Sequence, residues 1–242
     1  MRVLLTAVCV ALVSCSGGEE PDARRAPATT PAPDYPCPNQ EAVLDDVSLR
    51  AGRPETGDVD GDGDAEDVAI YYDPAGELGC QGFVVAESSD GTLSAPLETW
   101  RGEFGLPMPT LNALVDLDGE PGDEVVVNMG AGASTQFVGI VVKDGAVLRQ
   151  VTTDVTGGSG VAPGMLGFGG SVGHIEAVDC FPGGRVISSF ATPARDVYRV
   201  ERTVYDFAGP ELVPDDQDVE RVPVERIDRF PEYAASPFGS CS

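Results

Sequence analysis

The stretch Asp58-Val59-Asp60-Gly61-Asp62-Gly63-Asp64-Ala65-Glu66-Asp67-Val68-Ala69-Ile70-Tyr71-Tyr72 decides how this chain is read. Its first half sets acids at alternate positions around two glycines. Its second half is an apolar, aromatic run of strand character. Acids spaced this way can turn inward on one cation, because Gly61 and Gly63 permit the sharp backbone turn. Calcium takes six to eight hard oxygens. The expected donors are the side chains of Asp58, Asp60 and Asp62, the backbone carbonyl of Asp64, and a carboxylate from Glu66 or Asp67. An EF-hand needs a glutamate at its twelfth position and a helix after it. Here Ala69 holds that position inside a strand run, so the loop is not an EF-hand. The competing reading is a solvated acidic turn, but six acids within ten residues repel one another unless a counter-ion joins them.

The signature recurs outward from this stretch. Asp116-Leu117-Asp118-Gly119-Glu120 begins 58 residues on, and Ala177-Val178-Asp179-Cys180 a further 61. Apolar runs follow each copy: Val68–Tyr72, Val125–Val127 and Val186–Phe190. A loop-then-strand unit with a period near 60 residues predicts repeated β units in a propeller-like stack. Further strands are expected at Gly82–Ala86 and Phe137–Val142, with a turn at Lys143-Asp144-Gly145 returning through Ala146–Leu148. Tyr198–Tyr205 alternates apolar and charged side chains, as a half-exposed strand does. Only Glu41–Arg50 has a helical pattern. Gly157–Gly173 is nearly all glycine and small residues and reads as a long loop or irregular strand edges.

The Asp-x-Asp-Gly-Asp-Gly pattern and the strand after it resemble an FG-GAP/VCBS repeat, the calcium-bearing blade of integrin-type β-propellers. The likeness is strong over Asp58 to Tyr72 and implies calcium as the cofactor of Asp58, Asp60, Asp62, Asp64, Glu66 and Asp67. In the second unit Asp116, Asp118 and Glu124 match, whereas Glu120 replaces the third aspartate and Pro121 displaces a glycine, so a second metal there is left open. The third unit keeps only Asp179 and its strand, and no metal is expected. Phe168-Gly169 is a faint echo of the Phe-Gly element. A closed propeller usually has four or more blades. The expected fold is therefore all-β, a propeller-like stack of about three degenerate β-sheet repeats, incomplete or irregularly closed.

Arg2, the apolar run Val3 to Val13 and the small Ser14 form an export signal. Leu12-Val13-Ser14-Cys15 resembles the lipobox of bacterial lipoproteins, which implies cleavage before Cys15 and a lipid on it. Residues 1–14 are then the signal peptide. Residues 15–38, with prolines at 21, 27, 31, 33, 36 and 38, form a disordered tether. Residues 39–242 form the folded domain. Localisation at the cell membrane, lipid-anchored on its extracytoplasmic face, follows. Four cysteines remain in that exported part, with three possible pairings. The sequence-local ones, Cys37–Cys80 and Cys180–Cys241, are favoured, and the absence of CxxC disfavours zinc.

A net charge of −25 and a pI near 4.1 exclude nucleic-acid binding by phosphate neutralisation. No run of 18 apolar residues exists, which excludes a multi-pass helical membrane protein. Gly169-Gly170-Ser171-Val172-Gly173 fits GxSxG, but a hydrolase elbow needs a helix after the serine and a distant histidine. His174, the only histidine, follows directly. Gly130–Thr135 is an incomplete dinucleotide fingerprint, and Trp100 alone offers a thin sugar platform. The chain is read as a non-enzymatic, calcium-stabilised β-repeat protein with a structural, adhesive or ligand-binding role toward a protein or glycan. The alternatives are an exported hydrolase using Ser171 or an acidic pair, and an accessory subunit of an envelope complex.

Overall fold

Apolar residues on both faces of a short strand force it between two layers, and strands of this kind organise the molecule. The structure, a computed structural model, describes residues 44–76, 80–89, 91–97, 108–153, 164–234 and 236–241, all within one compact unit, 37–242. The signal peptide, Cys15, the tether, Cys37 and Trp100 lie outside the described residues.

The described fold is all-β. Strands β1 (Arg50–Gly57), β2 (Glu66–Tyr72), β3 (Gly82–Ser88) and β4 (Gly91–Pro96) form an antiparallel four-stranded meander. A ten-stranded sheet holds the rest: β5 (Thr110–Val115), β6 (Glu124–Ala131), β7 (Thr135–Asp144), β8 (Val147–Gln150), β9 (Thr152–Thr153), β10 (Leu166–Ser171), β11 (His174–Phe181), β12 (Arg185–Ala194), β13 (Val197–Phe207) and β14 (Glu211–Pro223). Within it, β5–β8 form a second meander and β11–β14 a third. One edge of β7 is shared: β8 pairs with Val141–Asp144 and β10 with Thr135–Val138. Strand β10 joins the second meander to the third.

The strands read from the sequence fall inside β2, β3, β6, β7, β12 and β13, while the hairpin return expected from Ala146 begins at Val147, because Lys143 and Asp144 still pair within β7 and the turn is Gly145-Ala146. Other segments differ from expectation. Leu44 and Asp45 are helical and Val47–Leu49 is a 3-10 turn, but Arg50 already opens β1, so the helix expected to reach Arg50 stops short. Part of the Gly-rich segment expected as a long loop or irregular strand edges is a regular strand: Leu166–Ser171 is β10, and it turns through Val172-Gly173 into β11. Glycine suits that strand because a Cβ at Gly167 would overlap the Glu176 carboxylate.

Packing follows the alternation of each central strand. Val68 and Ile70 of β2 and Val84 and Ala86 of β3 share a core with Val125, Val127 and Met129 of β6. The intervening Ala69, Tyr71, Phe83 and Val85 face the other way, against Leu44 and Leu49. Val126 of β6, with Val138, Ile140 and Val142 of β7, shares a core with Val178, Val186, Tyr205 and Leu212 of the third meander. The second meander therefore has one face toward the first and one toward the third. The outer face of the third carries Ala191, Val200 and Val222, covered by Phe230 and Tyr233 of the C-terminal segment.

The turns at one end of the meanders nest on each other through glycine. Gly61 (φ +73°) has no room for a Cβ, which would lie 2.3 Å from the Pro121 carbonyl oxygen. Asp123 N–H donates to the Asp58 carbonyl at 2.6 Å across the same contact. Gly184 (φ +69°), in the turn between β11 and β12, lies against the Asp118 carbonyl, 1.8 Å from where its Cβ would be. These contacts place the two acidic loops side by side at one end.

Candidate metal centres

Each acidic loop spans the gap between the first two strands of its meander. The first runs from Asp58 to Ala65 between β1 and β2, the second from Asp116 to Asp123 between β5 and β6. Short acids accept hydrogen bonds from backbone N–H groups a few residues on, which curls such a loop inward. Asp58 Oδ1 accepts from Gly61 N–H at 2.7 Å and its Oδ2 from Gly63 N–H at 3.0 Å. Asp60 Oδ1 accepts from Asp62 N–H at 3.1 Å, and Asp62 Oδ1 from Asp64 N–H at 2.8 Å.

Glu66 closes the loop from the first position of β2. It is 1% exposed, and Oε2 accepts from Val59 N–H at 2.7 Å and Asp60 N–H at 3.3 Å. Its other oxygen, Oε1, is buried without a hydrogen-bond partner. Asp58, Asp60 and Glu66 bring one carboxylate oxygen each within 4.8 Å of one another. Asp62 and Asp64 are exposed and outside this group, and Asp67 turns to the other face of β2, where Thr56 Oγ1 donates to it at 3.3 Å.

The second loop repeats this geometry 58 residues later. Glu124 Oε2 accepts from Leu117 N–H at 2.6 Å and Asp118 N–H at 3.3 Å. Asp116 Oδ1 accepts from Gly119 N–H at 2.7 Å, and Asp118 Oδ1 from Glu120 N–H at 2.8 Å. Asp116, Asp118 and Glu124 form the second convergent group, while Glu120 is exposed outside it. Burial, reinforced by the charges of Asp118 and Asp116, pushes the Glu124 carboxyl up from 4.5 to about 8 against the pull of the two N–H donors. Burial also raises Asp123, whose charged neighbours include Asp58 of the first loop and Asp116 of its own.

No family model matches the chain, nor does any curated protein or solved structure.

Other residues singled out in the sequence fall elsewhere. Ser171 ends β10 opposite His174, in a strand–turn–strand hairpin rather than at a strand-to-helix elbow, and its Oγ accepts from Gly173 N–H at 3.2 Å. His174 Nε2 lies 3.1 Å from Thr135 Oγ1 and 3.3 Å from Glu176 Oε1, with its ring stacked on Phe190. Gly130–Thr135 runs from the end of β6 through the turn at 132–134 to the start of β7, with Gly132 N–H donating to the Thr135 carbonyl. Asp179 lies within β11, not in a loop. Cys180 and Cys241 are disulfide-bonded, with Cα atoms 5.4 Å apart, and Cys80 is also disulfide-bonded.

Lys143 is a neighbour of the first loop that the acidic pattern does not announce. Reaching from the end of β7, its Nζ donates to the Asp60 carbonyl. The available signal was its singularity: it is the only lysine in a chain of −25.

Proposed function

We propose that the two loops bind calcium and that the protein is a calcium-stabilised β-repeat body of FG-GAP/VCBS type. Its role is structural, adhesive or ligand-binding rather than catalytic. The observation that carries this reading is the buried, unpartnered Oε1 of Glu66 beside Asp58 and Asp60. A buried acceptor without a donor costs roughly 1–3 kcal/mol, more when charged, and a cation removes that penalty. The return of the same carboxylates and the same N–H bonds at Asp116, Asp118 and Glu124 supports a repeated site over a chance turn. Oxygen-only donors gathered on one tight loop suit calcium better than zinc.

The shared cores between consecutive meanders support a propeller-like stack of three units, with the terminal segments covering the two outer faces. Cys15 anchors this body by its lipid to the extracytoplasmic face of the membrane, and the Pro-rich segment sets it at a distance. In cells, Cys15→Ser is expected to move the protein from the membrane to the soluble fraction. Retention there without accumulation of precursor counts against the anchor.

Calcium that binds only the folded loops stabilises by RT ln(1 + [L]/Kd), about 2.7 kcal/mol per site at a hundredfold excess. Thermal unfolding in millimolar calcium should therefore occur at a higher temperature than in chelator. Glu66→Gln preserves the acceptor for Val59 N–H and should remove most of the first loop's share, and Glu124→Gln that of the second. A solvated acidic turn gives the opposite sign, since neutralising an acid would relieve repulsion. A wild-type transition unmoved by calcium would overturn the metal reading.

A further inference from the structure

The second loop, the third meander and the C-terminal segment line a cleft of about 460 Å³, of which the calcium reading uses only Asp116. Cavities of roughly 300–1,000 Å³ hold small organic ligands. Its apolar walls include Phe181, Ile187 and Pro231, next to the Cys180–Cys241 bridge. Three carboxylates line it, Asp116, Asp179 and Glu232, against one cation, Arg202.

Glu232 is already engaged: Oε1 accepts from Ser189 Oγ at 2.7 Å and from Arg202 Nε at 2.8 Å. Arg202 is spent in the same way, since it also meets Asp218 at 3.3 Å and lies over the Phe230 ring. Asp179 differs. It is 2% exposed, and its Oδ1 accepts from Cys180 N–H at 2.9 Å and Ser240 N–H at 3.0 Å. Those bonds fix the carboxylate, yet Oδ2 has no partner in the protein. An acceptor so buried calls for a donor from outside. With Asp116 assigned to calcium and Glu232 paired with Arg202, the Asp179 carboxylate has no counter-charge left in the cleft, which asks that the donor be cationic, and the apolar walls ask that it carry carbon. A bare divalent ion fits poorly, because it wants six or more oxygens and the walls are hydrocarbon.

We propose that this cleft binds a small organic ammonium ion, whose N–H groups donate to Asp179 Oδ2 while its carbon skeleton lies on Phe181, Ile187 and Pro231.

The test titrates n-butylammonium into the full chain, saturated with calcium so that the acidic loops are occupied. Backbone amide shifts are followed by NMR, and n-butanol serves as the uncharged match. Saturable binding with a millimolar dissociation constant is expected, with shifts at Cys180, Phe181 and Ser240, and butanol at least tenfold weaker. Asp179→Asn keeps the Oδ1 acceptor and replaces Oδ2 with an amide donor. It should weaken butylammonium at least tenfold and leave butanol unchanged, as loss of a charge-assisted bond requires. Phe181→Ala should weaken butylammonium but not methylammonium. Equal affinities for the amine and the alcohol overturn the proposal, as do an unaffected Asp179→Asn variant or shifts confined to residues 58–66 and 116–124. Absence of binding by either probe at tens of millimolar means that water alone fills the cleft. If Asp179→Asn fails to fold, the amine–alcohol comparison on the wild type and the chain-length comparison on Phe181→Ala decide.

Discussion

Glu66 and Glu124 each take the first position of a strand, followed by the buried Val68–Tyr71 beyond an exposed Asp67 in one and directly by the buried Val125–Val127 in the other. Position is what separates Glu66 from Asp67. Residues 66, 68 and 70 share one face, and the opposite face carries Asp67, Ala69 and Tyr71. The sequence left Glu66 and Asp67 as equal candidates because both faces of β2 are apolar, so alternation carried no contrast there. The Glu124 carboxyl gives a pH dependence. In the unfolded chain it ionises near its ordinary 4.5, in the cation-free fold near 8, chiefly because it is buried. Between those values the folded state holds the extra proton, so stability in chelator should fall as pH rises from about 4.5 to about 8. Unfolding temperatures across that range should show the fall in the wild type and a flatter profile in Glu124→Gln. Saturating calcium should flatten the wild type too. An identical slope in all three would show that other groups set the dependence.

At the scale of elements, the acidic loops hold each other as well as any ion. Gly61 touches Pro121 backbone-to-backbone, while Gly63 (φ +93°) has open space where a Cβ would go. The two glycines look alike in the Asp-Gly-Asp-Gly pattern but should respond differently. Gly63→Ala should cost about 1–2 kcal/mol, from its left-handed backbone alone. Gly61→Ala adds overpacking against a carbonyl that cannot yield cheaply, for a total of ~2–5 kcal/mol. Denaturant unfolding in chelator separates this contact from metal affinity, and equal losses at the two positions would refute the nested packing. The loop motif was legible because its chemistry is local. The contact between loops was not, since it joins residues about 60 apart through backbone atoms that no side-chain pattern records. Strands β1 and β14 were hidden for a related reason. Pro54 interrupts the one, and Asp215, Asp216, Asp218 and Glu220 crowd the other, so neither alternates cleanly.

At the scale of the whole molecule, the C-terminal segment is pinned to β11. Phe238 N–H donates to the Val178 carbonyl at 3.3 Å, Ser240 N–H to Asp179, and Cys241 is bonded to Cys180. The bridge spans a separation of 61 residues, for which the chain-entropy model gives roughly 4 kcal/mol. Cys180→Ser with Cys241→Ser should lower stability by ~2–4 kcal/mol in calcium and in chelator alike, read by calorimetry. A loss seen only in chelator would tie the bridge to the metal loops instead. This pairing was readable as the sequence-local choice among Cys37, Cys80, Cys180 and Cys241. The cleft beneath it was not, because Asp179, Arg202 and Glu232 meet only through strand register and the return of the C-terminus.

The nested turns also divide the molecule into two ends with different freedom to change. Following the meanders, Asp58–Ala65, Asp116–Asp123 and Pro182–Gly184 lie at one end, and residues 73–76, 132–134 and 195–196 at the other. A residue inserted near Gly61 or Gly119 would slide a glycine off the carbonyl or turn it must pass, so the lengths of these loops are interlocked. The opposite turns carry no such interlock with the acidic loops. New lengths and new side chains can accumulate there without disturbing the column of glycines.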